Sequence, residues 1–347
     1  MTWNALVAGL TTGVLAVALG PPVATAAAPP PRKPIRVCAL LPLPLPADMN
    51  GRALAVDPTG RYIAGLGYRV TDDDQHPLLL LWDAAPLHHG PGAWNQPHLT
   101  IVATDAAQVL HDINRHGVVI GGGLVDNVHK PWRYRDGQLE WLPTLTDTTT
   151  SAVGINSRGD IVGSVAVEET ETTLPLLWPA DRPGTVDVIG APPNSGAGEI
   201  LDDGTIVGGS GGSSNSTAFG WVRRPDGRID RLTAPGTRWT AATAAAGTWA
   251  AGPVGTGPAE EDVAVMRWNL RTGVPIPANP TLRYVQDVNA RGTILGDRAV
   301  DHDGRLVALA GALPNPLNSI AWAIADDGLV VGSTNDSRWR PARWINC

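Results

Sequence analysis

Phenylalanine is all but missing from this 347-residue chain: one Phe and four Tyr stand against thirteen Trp. Tryptophan is therefore the large apolar residue of whatever core forms. Cysteine is also scarce, with only Cys38 and Cys347. Two cysteines exclude a disulfide-dense mini-protein and any Cys-rich zinc module. Residues 1–28 contain no Asp, Glu, Lys or Arg. Beyond that segment no stretch is long and apolar enough to span a bilayer. No Gly-x-Ser-x-Gly elbow and no Walker loop occurs, which removes the usual signatures of an α/β-hydrolase or a P-loop nucleotidase. A net charge of −7 with scattered arginines leaves no general nucleic-acid footprint.

What is present is a repeat. Its clearest copy reads Ala152-Val-Gly-Ile-Asn-Ser-Arg-Gly-Asp-Ile-Val-Gly163, with Trp178 following. Further copies end at Gly121, Gly208, Gly296 and Gly332, and weaker ones at Gly65 and Gly252. From Gly121 onward the closing glycines lie 42, 45, 44, 44 and 36 residues apart. A period of roughly 40–45 residues made of short strands predicts propeller blades. A length prior alone would split the chain into two or so domains. Residues 35–347 divided by seven instead give about 45 residues per unit, so one toroid uses them all. The expected fold is all-β, a seven-bladed β-propeller over residues 35–347.

Each unit reads as four strands. In the third unit Ser151–Asn156 runs into a turn at Asn156-Ser-Arg-Gly159. Asp160–Val167, Leu174–Trp178 and Thr185–Ile189 follow. Asn before x-x-Gly suits a tight turn: the Asn side chain bonds backbone two residues on, and Gly accepts the left-handed conformation. The closing glycines (Gly163, Gly208, Gly296) are expected where a side chain would crowd the neighbouring blade near the axis. Trp82, Trp132, Trp178, Trp221, Trp268 and Trp344 are expected between adjacent sheets, although a tryptophan ladder could also stack sugars. The sixth unit is the shortest and lacks the Trp. Asp301-His-Asp-Gly304 reads there as a tight turn, which allows a blade of three strands.

The last unit, Trp339-Arg-Pro-Ala-Arg-Trp-Ile-Asn-Cys347, stops after its third strand. Pro34-Ile-Arg-Val-Cys-Ala-Leu-Leu-Pro-Leu-Pro44 has no unit of its own and resembles a fourth strand. The N-terminal strand is thus expected to pair in the last blade and close the ring, removing exposed sheet edges. Cys38 and Cys347 fall on these two partner strands. A disulfide between them would stabilise by about 5 kcal/mol on loop-entropy grounds. Two free thiols or an intermolecular bridge are the alternatives.

Gly204-Thr-Ile-Val-Gly-Gly209, Ala218-Phe-Gly-Trp221 and Gly227-Arg-Ile-Asp-Arg-Leu232 together resemble the HAF repeat of bacterial extracellular proteins. That repeat is named for a His-Ala-Phe run before the Trp. Only Ala218-Phe219-Gly220-Trp221 keeps Ala-Phe; elsewhere the run is Leu176-Leu177-Trp178 or Val265-Met266-Arg267-Trp268. The Asn-x-x-Gly-x-Ile-Val-Gly core matches better and recurs through residues 52–332. The resemblance implies a secreted, β-propeller-like protein and brings no catalytic residues with it.

The N-terminus agrees with export. An apolar run from Leu6 to Leu19 precedes Ala24-Thr25-Ala26, a small-x-small cleavage pattern. Residues 1–28 read as a signal peptide and 29–34 as a Pro-rich linker, leaving no membrane span after cleavage. The missing n-region Lys or Arg leaves open a misassigned start or a retained anchor.

Loops between second and third strands are acidic. Asp72, Asp73, Asp74, Asp126, Glu168, Glu169, Glu171, Glu260, Glu261, Asp262 and Asp336 belong to them. Arginines mark the opposite turns: Arg61, Arg115, Arg135, Arg158, Arg182, Arg223, Arg224, Arg271 and Arg291. A disc acidic on one face and basic on the other is expected. Solvated loops that merely tolerate charge are the plainer reading. The candidate acidic binding face is Asp72, Asp73, Asp74, Glu168, Glu169, Glu171, Glu260, Glu261 and Asp262, which would draw cations or a basic partner. No metal site or cofactor is expected. Calcium is the one cation such carboxylates would suit, and no twelve-residue calcium loop is present. His88, His89 and His98 lack zinc-ligand spacing. Gly208–Ser214 lies between strands rather than before a helix, so it is not read as a phosphate loop.

Two functions remain in view. One is a secreted, non-enzymatic binding or scaffold module, monomeric, whose partner is an extracellular protein, polysaccharide or small molecule. The other is an extracellular glycan-acting enzyme using loop carboxylates at the propeller mouth. A structural envelope protein is a third possibility. Buried, inward-facing carboxylates at the mouth would favour the enzyme; small residues alone near the axis would favour binding.

Overall fold

The computed structural model describes residues 37–71, 76–84, 96–104, 107–145, 147–167, 170–211, 218–257, 263–311 and 319–347. Among them there is no α-helix, and the strands form antiparallel sheets of a β-propeller type. The first strand, β1 (Val37–Pro42), is followed by a sheet of β2 (Met49–Val56), β3 (Tyr62–Arg69), β4 (Leu78–Asp83) and β5 (His98–Ala103). The second sheet is β6 (Val109–Ile113), β7 (Val119–Val125), β8 (Val128–Arg135) and β9 (Gln138–Trp141). The third is β10 (Thr150–Ile155), β11 (Ile161–Val167), β12 (Thr172–Trp178) and β13 (Asp187–Val188). The fourth is β14 (Ser195–Ile200), β15 (Ile206–Ser210), β16 (Phe219–Arg223) and β17 (Ile229–Arg231). A fifth holds β18 (Trp239–Thr240), β19 (Ala244–Ala246), β20 (Trp249–Gly255), β21 (Val263–Asn269) and β22 (Pro275–Pro277).

The remaining strands join into one eight-stranded sheet. Its first half is β23 (Asp287–Val288), β24 (Ile294–Leu295), β25 (Ala299–His302) and β26 (Arg305–Leu309). Its second half is β27 (Ser319–Ile324), β28 (Val330–Asn335) and β29 (Trp339–Ile345). β1 lies between the halves, antiparallel to β29 and parallel to β26. The parallel pairing was not expected from sequence. Cys38 and Cys347 form a disulfide, their Cα atoms 4.7 Å apart. The sixth unit has four strands rather than three. Its tight turn at Asp303-Gly304 joins β25 to β26, with both residues at positive φ (52° and 83°) as a two-residue hairpin turn requires.

The innermost strands pack on one another in series. β2 packs against β6, β6 on β10, β10 on β14, β14 on β19, β19 on β23, β23 on β27, and β27 on β2. An apolar cluster fills each seam. Trp132, for example, sits with Ala55, Ala64 and Leu79 of the preceding sheet. Trp82 sits with Ala323, Ala325 and Val331 across the seam between the last and first units. Trp178, Trp221, Trp268 and Trp344 hold the same place in their own seams. All six are at most 4% exposed. Four of them donate Nε1–H at 2.8 Å to a backbone carbonyl on the entry to their unit: Pro44, Pro143, Thr233 and Ala310. In the seam of the sixth unit Leu282 and the half-buried Trp249 replace them.

One irregularity recurs in register. The inner strand bulges between Ala53 and Ala55, Leu110 and Asp112, Ala152 and Gly154, Ala197 and Glu199, and Ala321 and Ala323. Opposite each bulge lies the closing glycine: Gly65, Gly121, Gly163, Gly208 and Gly332. A Cβ on Gly163 would meet the Ser151 carbonyl oxygen at 1.8 Å; on Gly121 it would meet that of Val109 at 2.1 Å and Trp132 at 2.4 Å. These five closing glycines are therefore enforced by their own sheet, not by the neighbouring one, whereas at Gly296 a Cβ would meet the Leu282 side chain at 2.4 Å. Crowding by the neighbour falls on Gly154, where a Cβ would meet Glu199 Oε1 at 2.7 Å.

Gly163→Ala should destabilise by about 1–3 kcal/mol, the cost of overpacking a site that has no room. Gly190→Ala, with nothing near the added Cβ, should stay within about 0.5 kcal/mol of the parent. Urea unfolding of both variants measures the contrast. Removing the disulfide by Cys347→Ser should lower stability by about 2–5 kcal/mol in the same assay.

Candidate functional site

The bulge has a consequence at the axis. It re-aims the residue after it, and Ala55, Asp112, Gly154, Glu199 and Ala323 share this one register position. Ala244 and Asp287 hold the same position in the remaining units, paired with Ala251 and Leu295. Four of these seven residues are small and three are acids. The acids stand in the second, fourth and sixth units, with one small residue between the second and fourth and the fourth and sixth, and two, Ala323 and Ala55, between the sixth and second.

Asp112, Glu199 and Asp287 line a cavity of 260 Å³. Its apolar wall includes Val56, Ile113, Ile155, Ile200, Val288 and Ile324. Arg115, Asp202 and Asp326 stand at its mouth. Asp112 accepts from Ile113 N at 2.7 Å and, through its other oxygen, from Ile155 N of the next sheet at 3.0 Å. Asp287 repeats this with Val288 N at 2.7 Å and Ile324 N at 2.8 Å. Glu199 Oε1 accepts from Ile200 N at 3.0 Å. Among the described residues no donor reaches Glu199 Oε2, so that oxygen is left for the cavity.

Burial is the main cause that pushes all three carboxyls up. Asp112 rises to about 7, with the backbone hydrogen bonds opposing and the charge of Asp287 adding to the rise. Asp287 also rises to about 7, with Asp326 contributing. Glu199 lies well above the usual carboxylate range, raised by burial and then by Asp112 and Asp287. The three acids thus sense one another across the cavity.

The turns around the mouth are stitched between sheets. Asn156 Oδ1 accepts from Arg158 N and Asp160 N, both at 3.0 Å, which is the turn bond expected from sequence. Its Nδ2 donates onward to the Leu201 carbonyl of the next unit at 3.4 Å. Asn114 reaches the Asn156 carbonyl at 2.9 Å, and Asn289 that of Ala325 at 3.1 Å. Asp202 and Asp326 return bonds to Ser157 N and Ala290 N.

The expected acidic face lies mostly outside the described residues: Asp72, Asp73, Asp74, Glu168, Glu169, Glu260, Glu261 and Asp262 all do. Glu171 is described and is exposed on the turn before β12, away from the cavity lining. The cavity opens instead among the turns between first and second strands, the end to which the arginines were assigned. That end is not uniformly basic. Arg115 pairs with Asp202, Arg61 with Asp83, Arg158 with Asp160 and Arg182 with Asp187. Sequence reading missed Asp112, Glu199 and Asp287, although Asp112-Ile-Asn114 and Asp287-Val-Asn289 repeat one pattern. Stacking the repeats on the turn Asn exposes that column. Among the described residues no set of three or more His, Cys, Asp or Glu side chains comes together as a metal site. No helix among them is long and apolar enough to cross a membrane.

No known family model matches the chain, and no curated protein matches it in sequence. Solved structures do. TolB from Acinetobacter baumannii is similar at 11% identity and a TM-score of 0.44, over 86% of this chain and 64% of that one. A gluconolactonase from Xanthomonas campestris gives 13% identity and 0.40, over 66% and 82%. An acylaminoacyl peptidase from Pyrococcus horikoshii gives 11% and 0.47, over 84% and 52%. The chain thus spans less than two thirds of the TolB and peptidase chains.

The raised carboxyls have a stability signature. An acid whose folded pKa exceeds its unfolded one holds more protons when folded, so stability falls as pH rises from the unfolded value near 4 to the folded value. Asp112 and Asp287 should make the protein less stable at pH 7.5 than at pH 4.5 by their share of the profile. Asp287→Asn should flatten that slope, read from urea unfolding at half-unit pH intervals.

Proposed function

We propose that this chain is an exported, seven-bladed β-propeller that binds its ligand rather than transforming it, with a cationic group of the ligand seated in the axial cavity. In this reading residues 1–28 direct export, the protein belongs with the HAF-repeat proteins, and β1 closes the ring as the fourth strand of the last blade. The protein works outside the cytoplasm as a monomer without cofactor. Its partner is a small molecule, or one basic group of an extracellular protein or polysaccharide; nucleic acid plays no part.

The carrying observation is that three buried acids, Asp112, Glu199 and Asp287, line one cavity. They set its sign. A cation in the cavity would favour the ionised carboxylates, so binding should release protons near neutral pH. Asp112 and Asp287 are each held by two backbone N–H groups, which fits groups that orient and attract. Glu199, with one oxygen uncommitted, is the residue for direct contact.

One observation favours the glycan-acting enzyme: carboxyls raised to about 7 at Asp112 and Asp287 are what a general acid needs at neutral pH. The two readings separate in one set of measurements. Thermal melts and calorimetric titrations with putrescine, glucosamine, chitosan oligomers and calcium chloride are expected to give a saturable amine response. It should come with proton release and be lost in Glu199→Gln. Reducing-end release from a polysaccharide, abolished by Asp112→Asn, would replace binding with catalysis. A flat response to every cation would sink the axial-cavity reading.

A further inference from the structure

A second cavity, of 270 Å³, lies between the second and third units and shares Asn114 and Ser157 with the walls of the axial one. Its charged lining is of one sign. Arg133 and Arg135 reach it from β8, two residues apart and so on one face of that strand. Arg158 reaches it from the turn before β11, and the His116 imidazole completes the ionisable lining. Among the described residues no carboxylate lines it. The carboxylates that hold these arginines stand outside: Glu140 takes Arg133 Nε at 2.7 Å, Asp160 takes Arg158 Nη2 at 2.7 Å, and Asp136 lies 3.5 Å from Arg135 Nε. Arg133 is thereby fixed with its side chain 13% exposed, while Arg158 and Arg135 remain half exposed.

We propose that this cavity is an anion-binding subsite, taking a carboxylate, sulfate or phosphate group through Arg133, Arg135 and Arg158. Guanidinium groups suit such oxyanions because their planar donors match paired oxygens. Ser157 adds a hydroxyl, and the Asn114–Ser157 wall places the anion beside whatever occupies the axial cavity. The subsite stands on its own lining. Only its role as the neighbour of a cationic group, making the ligand bipolar, rests on the axial reading.

Calorimetric titration of the mature, disulfide-intact chain with inorganic phosphate tests it at fixed ionic strength. Saturable binding is expected, weakened about tenfold or more in Arg158→Gln, as loss of a charge-assisted hydrogen bond implies. Arg135→Gln should weaken it likewise; among the described residues its carboxylate partner is the adjacent, exposed Asp136, so folding should be little affected. Asp112→Asn should retain phosphate binding. Absence of saturable binding, or equal affinity in the parent and both arginine variants, would overturn the subsite. Loss of phosphate binding in Asp112→Asn alone would assign the anion elsewhere and overturn it too. If phosphate binds as expected while putrescine does not bind at all, the axial reading fails and the anion subsite stands.

Discussion

A carbonyl oxygen pushed into the space where a side chain would begin governs this molecule. In five units the inner strand bulges at one register position, and the carbonyl before the bulge lies 1.8–2.3 Å from where a Cβ on the opposing residue would sit. Only glycine fits there. The space left above the glycine is then covered by the third-strand tryptophan: Trp132 lies over Gly121 and Trp221 over Gly208. Bulge, glycine and tryptophan are one packing unit, repeated with little change. After the same bulge Asp112 and Glu199 reach the cavity, while Ala55 and Ala323 at that position pack into the seams.

That position is where the units stop being equivalent. The Asn turn bonds and the tryptophans serve the seams, where their partners are backbone carbonyls in four of the six tryptophan-bearing units. The axial position touches backbone only through an acid, when one is there. Asp112 and Asp287 each bridge to the N–H of the following sheet, so they contribute a cross-seam bond as well as charge. The cost is desolvation, which the raised pKa values register. A purely structural bridge could use Asn, as Asn114 and Asn156 do nearby, with no charge to desolvate. Three mutually repelling carboxyls kept at one level therefore call for a use beyond the seam.

Much of the fold was legible because its signals are local. Asn156 to Gly159 announces its turn, and Trp178 its place in a strand, within a few residues. The axial acids were hidden for the opposite reason. Asp112 and Asp287 sit inside the very motif that reads as structural, and Ala55, Gly154 and Ala323 at the same level carry no chemistry to draw the eye. A linear reading assigned charge by loop type without seeing which turns meet: Arg115 and Asp202 are 87 residues apart and pair, so the arginine end carries acids as well. The alanine-rich stretch 241–246, interrupted by Thr243, shows the same limit, since the break between β18 and β19 leaves no mark in composition. The parallel edge between β1 and β26 depends on where two distant strands arrive, which no local pattern encodes.

This division between fixed and free positions bears on what the cavity can become. Replacing a closing glycine or a seam tryptophan disturbs a contact that has no slack. At the axial level, by contrast, residues from glycine to glutamate already coexist in one chain, on the same bulge and opposite equivalent partners. The backbone there does not depend on the side chain. Charge and hydrogen-bonding capacity therefore vary at the positions that reach the cavity, Asp112, Glu199 and Asp287, whereas Ala55 and Ala323 are held small by their seams and Gly154 by Glu199. Disulfide and strand pairing at β1, β26 and β29 reinforce the scaffold through residues that do not line the cavity. The cavity's charge thus comes from three acids at one register position, while its frame comes from contacts that leave those positions free to differ.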